Sequence, residues 1–330
     1  MNIGFLGCGS YSQGLASVAK SSTTLNPLAC FDVIPESAKS FGEQFGLHVC
    51  GSLDELLGQK DIQGIVIATP NNQHRSCAEA AAKAGKHVFV DKPIANTMED
   101  GIAIVETCKQ AGVTLAIGHN GRRICGHRKM KELIDLGDIG VPITVEANFS
   151  HAGGLGLTPS HWRYFKEECP GLPLMQLGVH FADTVQYLFG DITEVSSFMT
   201  HIATPAENDD VTVQILRFKS GLLGYLGSNY ATPSVYYVNA YGTGGNLYCQ
   251  GGGPVLYRNA QTDDRVDVPL TGVDTQLEEL EEWAHCAQTG QTPEVDGIAG
   301  LKALAVVLAS IRSHEERRPV MVSEILPVCV

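Results

Sequence analysis

Short apolar runs alternate with helical stretches along the first third of the chain. The runs predict five strands, at residues 2–6, 27–31, 64–68, 87–90 and 113–117. Between them, residues 52–55 have the form of a capping box, and an alanine-rich run over 78–84 stops at Gly85. Because strands that alternate with helices build a parallel sheet, residues 1–120 are predicted to form a doubly wound α/β domain.

The pattern changes near Gly118, where one more helix, over 122–136, is followed by closely spaced strands. These strands are predicted at residues 144–151, 195–202, 211–218, 222–230 and 235–241. A capping box at 275–278 opens a late helix that ends near Gly290, and a second helix is predicted over 301–311. Residues 121–330 are therefore expected to form an α+β domain on an open, mainly antiparallel sheet.

Composition narrows the classes of protein that fit these elements. The 330 residues are 44% hydrophobic, enough for two cores, and the formal net charge of -13 without a basic cluster argues against nucleic-acid partners. A cationic leader and a membrane-spanning apolar run are not apparent, so a cytoplasmic protein is expected. The ten cysteines, scattered from Cys8 to Cys329 without a Cys-x-x-Cys pair, predict reduced thiols and no metal site.

The first strand runs directly into a glycine loop formed by Gly7, Cys8 and Gly9. Glycines at this position allow peptide N–H groups at a helix start to meet a dinucleotide pyrophosphate. Asp32 ends the second strand at the distance expected for an acid that binds the adenosine ribose. Ser12 replaces the third glycine of the usual pattern, so an ordinary turn is the alternative interpretation of this loop. The strand, the helix and the acid together favour an NAD-binding loop.

Lys92 stands between Asp91 and Pro93, directly after the fourth predicted strand. The carboxyl end of a parallel strand faces the ligand crevice, where a lysine ammonium can stabilise developing alkoxide charge. The alternative is a solvated surface lysine. His180 opens a segment with apolar residues at helical spacing, and its imidazole can exchange a proton near neutral pH. The alternative there is a packed, hydrogen-bonded histidine.

These segments together resemble the Gfo/Idh/MocA family of oxidoreductases over nearly the whole chain. The matching segments are residues 7–9, 68–74, 91–93, 161–163 and 178–180 with Asp183, followed by the carboxyl-terminal helices. The resemblance implies an NAD-binding Rossmann domain, a second domain with an open mixed sheet, and an active site in the cleft between them. Family members commonly oxidise or reduce a secondary alcohol of a sugar, inositol or related polyol.

Site residues follow from the resemblance by position. It implies Lys92 and His180 as catalytic residues and makes a cis peptide before Pro93 plausible. The implied cofactor contacts are Gly7, Gly9, Ser10, Tyr11, Ser12, Asp32, Thr69, Pro70, Asn72, His74, Asp91 and Lys92. The implied substrate contacts are Lys92, Asn120, Arg122, His161, Trp162, Arg163, Gln176 and His180. These residues also have structural interpretations. Trp162 is alternatively a core anchor. The arginines Arg122, Arg123 and Arg163 are alternatively paired or solvated charges.

The chain departs from the family at Gln176, four residues before His180, where an aspartate is common. A neutral amide can orient substrate hydroxyls but cannot stabilise an imidazolium by charge. The sequence therefore predicts an NAD-dependent dehydrogenase or reductase acting on a sugar or polyol and forming a homodimer or homotetramer. Two alternatives stay open: an enzyme that retains NAD and uses transient oxidation for elimination or glycoside cleavage, and a non-enzymatic NAD-responsive regulator.

Overall fold

The computed structural model describes residues 1–326, which divide into two compact units. The first contains Met1–His119 and Asp274–Leu301, and the second contains Asn120–Val273 and residues 302–326. Nine cysteines lie in the described residues, all as free thiols and eight of them buried. Cys329 lies outside the described residues.

Fifteen strands and nine α-helices can be assigned within residues 1–326. The strands are β1 Asn2–Leu6, β2 Asn26–Phe31, β3 His48–Val49, β4 Gly64–Ile67, β5 His87–Asp91, β6 Leu115–Gly118, β7 Pro142–Ser150, β8 Ile192–Thr200, β9 Val211–Phe218, β10 Leu223–Asn229, β11 Val235–Gly242, β12 Gly245–Gln250, β13 Val255–Asn259, β14 Arg265–Val268 and β15 Val320–Met321. The helices are α1 Ser10–Ser21, α2 Pro35–Phe45, α3 Leu53–Gly58, α4 His74–Lys83, α5 Met98–Ala111, α6 Cys125–Asp135, α7 Val179–Phe189, α8 Thr275–Thr289 and α9 Gly297–Glu316.

The first unit is a doubly wound sheet with the strand order β3-β2-β1-β4-β5-β6, and all of its pairings are parallel. This is the Rossmann order. Strands β2 and β3 are added on one side of β1, and the chain then crosses over to add β4, β5 and β6 on the other side, so the strand order reverses between β1 and β4. The predicted α/β class is confirmed. Ligands bind such sheets at the carboxyl ends of the strands beside that reversal.

Helix α8 belongs to the first unit although it follows the second unit's sheet in sequence. Its Trp283 is fully buried in a core with Ile3 and Phe5, and its ring centroid lies 5.8 Å from that of Phe89. A Cβ atom on Gly64 would come within 2.6 Å of the Trp283 ring, so this glycine makes room for the indole. The division thus differs from the expected boundary, because burial of this indole brings Asp274–Leu301 back to the first sheet.

Two predicted helix starts differ in detail. Ser52 caps α3 by accepting a hydrogen bond from the Glu55 N–H, but the Glu55 carboxylate bonds the Gly51 N–H rather than that of Ser52. Helix α8 is capped by Asp274, whose carboxylate accepts from two backbone N–H groups, and not by Thr275. An aspartate one residue earlier satisfies the same free donors and adds a charge that the helix dipole favours.

The second unit is built on a nine-stranded sheet with the order β14-β13-β12-β11-β7-β10-β9-β8-β15. Among the strands described here, β7 and β10 form the one parallel pair of this sheet, and the other pairings are antiparallel. The expected open, mainly antiparallel sheet is confirmed. The sequence pattern missed the strands after residue 242, which are short and carry turn residues between them.

The central strands of this sheet have two chemically different faces. Val145, Ala147 and Leu226 are buried on one face, where Phe149 packs against Phe181 of α7. The opposite face carries exposed apolar side chains from neighbouring strands. They are Phe198, Val213, Ile215 and Leu223, and we refer to them as the outer apolar patch.

Helix α9 is the one helix within residues 1–326 that is long and apolar enough to cross a membrane. The expectation that no such run exists was therefore wrong on length and composition. Of its most apolar 18-residue window, 61% is buried inside the protein, as is usual for a core helix. Predicted over residues 301–311, the helix extends further at both ends.

Candidate active site

The candidate cofactor residues of the first unit lie where neighbouring strands end. β1 leads into Gly7, β2 into Asp32, β4 into Thr69 and β5 into Lys92. Since these four strands are adjacent in the order β2-β1-β4-β5, their carboxyl ends form one continuous edge. The sequence-predicted residues from distant parts of this unit therefore meet at the position where doubly wound sheets bind nucleotides.

Gly7 has a φ of +91°, and a Cβ atom there would lie 2.7 Å from the Ala68 carbonyl oxygen. The position therefore requires glycine both for its conformation and for the close approach of two strand ends. Gly9 has open space around its Cα, and it precedes α1 without a side-chain cap. Its helix start is thus free to offer N–H groups to an anion. Ser12 is buried and its hydroxyl donates to the Gly7 carbonyl at 2.6 Å, so the replacement of glycine adds a bond that fixes the loop.

Asp32 is held by two backbone donors. One carboxylate oxygen accepts from the Cys8 N–H at 2.7 Å and the other from the Ile34 N–H at 2.8 Å. A carboxylate has about four lone-pair positions, so both oxygens can still accept ribose hydroxyls. The bond to Cys8 also ties the predicted ribose acid directly to the glycine loop.

Tyr11 connects the start of α1 to the end of β5. Its hydroxyl hydrogen-bonds with Asp91 and Gln276. Burial raises the pKa of the Tyr11 phenol, and the charges of Asp91 and Glu279 raise it further, so the phenol stays protonated and donates. Ser10 is exposed at the helix start. Gln276 was missed because it lies far away in sequence, on α8.

The segment after β4 is braced against the turn that carries Lys92. The ring nitrogens of buried His74 lie 2.9 Å from the Pro93 carbonyl and 3.1 Å from the Thr69 carbonyl. Burial lowers the pKa of His74, and the Lys92 charge lowers it further, so a neutral ring donates to one carbonyl at a time. Lys92 precedes a cis peptide to Pro93, as the resemblance implies.

A second bond braces the same two loops. Asn71 donates from its amide to Asn96 at 3.1 Å, and both side chains are buried. The sequence prediction named Pro70 and Asn72 in this segment, of which Pro70 is partly buried and Asn72 is exposed. Asn71 was missed because nothing in the sequence distinguishes two consecutive asparagines.

In the second unit, His180 lies where a π-helical segment, Leu174–Gly178, continues into α7. The helical turns begin at Leu172, so the predicted helix start near His180 was several residues late. The His180 ring is partly exposed and its centroid lies 5.7 Å from that of Phe149 on β7. π segments within helices occur frequently at functional sites, since they break the regular hydrogen-bond ladder.

Arg122 forms a buried ion pair with Asp183. Its Nε and one terminal nitrogen donate to the two carboxylate oxygens of Asp183 at 2.7 and 2.6 Å, and its guanidinium lies 5.6 Å from the Tyr187 ring centroid. Asp183 is only 1% exposed. Bidentate geometry of this kind fixes orientation as well as charge. This pair therefore holds α7, and with it His180, against the 3₁₀ turn Asn120–Arg123.

Gln176 pairs with Arg163. Its amide oxygen accepts from Arg163 Nε at 3.0 Å, and its amide nitrogen donates to the Cys169 sulfur at 3.3 Å. The Arg163 guanidinium also lies 4.4 Å from the centroid of the Trp162 ring. Three predicted substrate residues are thus brought into one cluster. His161 is exposed beside them, with Nδ1 accepting from the Thr158 N–H at 3.1 Å.

His127 was missed by the sequence analysis and braces the turn that carries Arg122. Its Nδ1–H donates to the Gly121 carbonyl at 2.7 Å, and its ring stacks on Tyr236. Burial lowers the pKa of His127 to about 4, although the bond to Gly121 acts in the opposite direction. The ring is therefore neutral at physiological pH.

Comparison with known proteins agrees with both units. The pattern "Oxidoreductase family, NAD-binding Rossmann fold" matches residues 1–119, and that of the "GFO/IDH/MocA C-terminal domain" matches residues 127–248. The chain belongs to the Gfo/Idh/MocA family of oxidoreductases. Its first unit is accordingly an NAD-binding Rossmann domain, and the chain is an enzyme of the oxidoreductase class.

Three relatives of this Gfo/Idh/MocA protein bear on its chemistry. A 1,5-anhydro-D-fructose reductase of Ensifer adhaerens is 30% identical over 79% of this chain and 80% of its own length. A 2,7-anhydro-N-acetylneuraminate hydratase of Escherichia coli is 31% identical over 75% of this chain and 67% of its own. A crystal structure from Desulfitobacterium hafniense, whose name proposes an NADPH-dependent oxidoreductase, is 33% identical with a TM-score of 0.94 over 98% of both chains.

We expect His127 to make the stability of the protein depend on pH. Its pKa is about 4 in the folded state and about 6.5 when unfolded, so the unfolded chain binds more protons between these values. Stability should be complete above about pH 6.5 and fall as the pH drops toward 4, with about 2 kcal/mol lost from this group between pH 7 and 5. Urea unfolding at several pH values measures this slope.

The matched variants are His127→Gln and His285→Gln, the latter at an exposed position of α8. Between pH 7 and pH 5, His127→Gln should lose about 2 kcal/mol less unfolding free energy than the unaltered protein, whatever its stability at pH 7. His285→Gln should lose as much as the unaltered protein. Equal slopes for His127→Gln and the unaltered protein would show that His127 does not titrate as described.

Proposed function

We propose that this protein is an NAD-dependent dehydrogenase or reductase that acts on a secondary alcohol or ketone of a sugar, polyol or sugar derivative. The observation that carries the proposal is the braced Lys92 turn at the carboxyl end of β5, on the same strand edge as the glycine loop and Asp32. The 1,5-anhydro-D-fructose reductase among its relatives supports the substrate class. We assign the first unit chiefly to NAD binding and the second unit chiefly to substrate binding and oligomerisation.

The first unit provides a good fit for NAD. The open approach at Gly9, the free helix start of α1 and the carboxylate of Asp32 match a pyrophosphate and an adenosine ribose. Thr69, Pro70, Asn72 and Lys92 lie further along the same edge and are assigned to the nicotinamide half. NAD, when bound, supplies the hydride acceptor for oxidation and, in reduced form, the hydride donor for reduction.

Lys92 is assigned to the reacting oxygen. Its ammonium donates to the alcohol or carbonyl oxygen and stabilises the negative charge that develops there. Its backbone is held through Pro93 by His74, and the Asn71 bond to Asn96 supports the same loop. A fixed donor of this kind needs no reorganisation as charge develops, which is the basis of electrostatic catalysis. His74 and Asn71 are therefore positioning residues.

We assign the proton transfer to His180. During oxidation its neutral imidazole accepts the hydroxyl proton, and during reduction its protonated form returns that proton to the carbonyl oxygen. The Arg122–Asp183 pair one turn further along α7 positions the helix that carries it. Arg163, with Gln176 and Trp162, is assigned to substrate hydroxyls, and exposed His161 and partly exposed Asn120 are assigned to the outer part of the same site.

A second candidate is an enzyme that keeps NAD bound and uses transient oxidation to eliminate or add a group elsewhere on the sugar. The relative named as a 2,7-anhydro-N-acetylneuraminate hydratase favours it. The two candidates differ in net redox change. Both candidates can be tested by incubation with a panel of sugars, anhydro-sugars and inositols. A dehydrogenase or reductase should convert free NAD to NADH, or NADH to NAD, in proportion to product. An enzyme that retains NAD should form product without net change in free cofactor.

We expect replacement of His180 by Ala to reduce turnover far more than cofactor affinity. Loss of a general acid–base group should reduce kcat by about a hundredfold or more, because this is the usual contribution of such a group. NADH fluorescence titration should give a nearly unchanged Kd. Added imidazole should restore part of the kcat of His180→Ala, which a purely structural defect would not allow. Full turnover of the variant would exclude His180 as the proton carrier.

The cofactor preference should be NAD over NADP. The fixed carboxylate of Asp32 accepts ribose hydroxyls and repels a 2′-phosphate. Asp32→Asn should reduce the NAD to NADP ratio of kcat/KM by about tenfold or more, equivalent to about 1.4 kcal/mol. Glu36→Gln, at an exposed carboxylate on α2, is the control and should leave the ratio unchanged. Preference of the unaltered enzyme for NADP would contradict the assignment of Asp32.

We further propose that the outer apolar patch is buried between copies of this chain in a homodimer or homotetramer. Phe198 is 76% exposed and pairs across the ladder with Val213, and Ile215 is 51% exposed on the same face. Contiguous apolar surface of this kind commonly marks an association site.

Charge placed in the patch should therefore separate the subunits. Ile215→Lys should shift the protein to monomer in sedimentation velocity at micromolar concentration, because a buried unpaired ammonium is costly. Leu136→Lys, at an apolar position directly after α6 that is 68% exposed, should leave the oligomer intact. An unaltered protein that sediments only as a monomer would refute the proposal.

A further inference from the structure

A compact group of three metal-ligating side chains lies at the β3 edge of the first sheet, and none of them belongs to the candidate active site. They are His48, Cys50 and Glu55, and one ligand atom from each lies within 4.8 Å of the other two. They combine an imidazole nitrogen, a sulfur and a carboxylate oxygen. This set is typical of borderline transition metals and not of magnesium or calcium, which take oxygen ligands.

The local backbone brings the three residues together. His48 begins the short strand β3, and the Cys50 N–H that follows it donates to the Cys30 carbonyl of β2 at 2.9 Å. Ser52 then caps α3, so the first turn of this helix returns Glu55 toward the strand. A spacing of His-x-Cys-x₄-Glu results, which a search for paired cysteines does not detect.

Hydrogen bonds orient two of the ligands. One Glu55 oxygen accepts from the Gly51 N–H at 2.7 Å, which directs the other to His48 Nε2 at 3.0 Å. Gln59 donates from its amide to the Cys50 sulfur at 3.3 Å. Donors of this kind fix ligand orientation in metal sites and remain compatible with a coordinated thiolate and carboxylate.

The dimensions and exposure also suit a metal ion. With zinc bonds of about 2.0–2.3 Å, tetrahedral ligand atoms lie roughly 3.3–3.6 Å apart, so the present separations need only small side-chain movements. Cys50 is buried, whereas the side chains of His48 and Glu55 are 59% and 47% exposed. The inner ligand is thus shielded, and the outer two leave an entry path and room for a solvent ligand.

An ordinary surface ion pair is the competing explanation. It accounts for the contact between His48 and Glu55, because exposed pairs of this kind are common and contribute little. It does not account for a cysteine sulfur directed into the same small volume from the buried side.

We propose that His48, Cys50 and Glu55 form a binding site for a divalent transition metal of the zinc class, with solvent as the fourth ligand. The ion joins the β3 edge to α3 and stabilises the folded first unit, because a ligand that binds only the native state raises its stability. The site is separate from the proposed oxidoreductase chemistry, and the proposal does not rest on it.

Cobalt and zinc titrations of the full-length, chelator-treated protein test the site. Co²⁺ should produce a thiolate-to-cobalt charge-transfer band and the strong visible bands of a tetrahedral site at one equivalent. Zn²⁺ should abolish them and raise the Tm. Cys50→Ser should lose the charge-transfer band, and competition with a chromophoric chelator should show at least about tenfold weaker Zn²⁺ binding for His48→Ala and Glu55→Gln.

Two controls separate this site from binding elsewhere on the chain. Cys108→Ser replaces another buried thiol of the first unit, and His285→Ala replaces another exposed imidazole. Both should bind like the unaltered protein. Absence of the charge-transfer band in the unaltered protein, or equal Zn²⁺ affinity in Glu55→Gln and the controls, would overturn the proposal; Glu55 is exposed, so its replacement does not disturb the core.

Discussion

The close approach of two strand ends at Gly7 is the constraint on which the cofactor site depends. A side chain there would collide with the Ala68 carbonyl, and the positive φ lets the chain turn from β1 into α1 within three residues. That turn brings the free helix start of α1 to the sheet edge. It also sets the Cys8 N–H against Asp32 and the Gly7 carbonyl against Ser12. Loop, ribose acid and helix therefore form one unit.

Buried polar contacts hold the residues that we assign to chemistry. His74 fixes the Pro93 carbonyl, and the Arg122–Asp183 pair and His127 fix the turn and helix that carry His180. In each case a buried side chain forms a hydrogen bond with a carbonyl or a counter-ion, which offsets part of the cost of its desolvation in this geometry. The same bonds that satisfy these groups therefore restrict the catalytic side chains.

The sequence predicted what depends on local pattern. Periodicity gave the parallel strands of the first unit, and the distance from Gly7 to Asp32 indicated the nucleotide edge. The sequence could not predict contacts between residues far apart in the chain, such as Trp283 with Phe89 or Tyr11 with Gln276, because such contacts leave no periodic signal. His127 was missed for the same reason, since its role depends on a carbonyl and an aromatic ring supplied by other elements.

Gln176 shows how local geometry changes the meaning of a spacing. Four residues separate it from His180, and in a regular α-helix such residues lie on adjacent turns of one face. The π segment Leu174–Gly178 interrupts this regular pattern with hydrogen bonds between residues five apart, and Gln176 lies within it. Gln176 instead gives Arg163 a neutral acceptor, whereas an acid would pair with the guanidinium and cancel its charge. The departure from the family pattern therefore places a neutral amide, and not a carboxylate, against the Arg163 guanidinium.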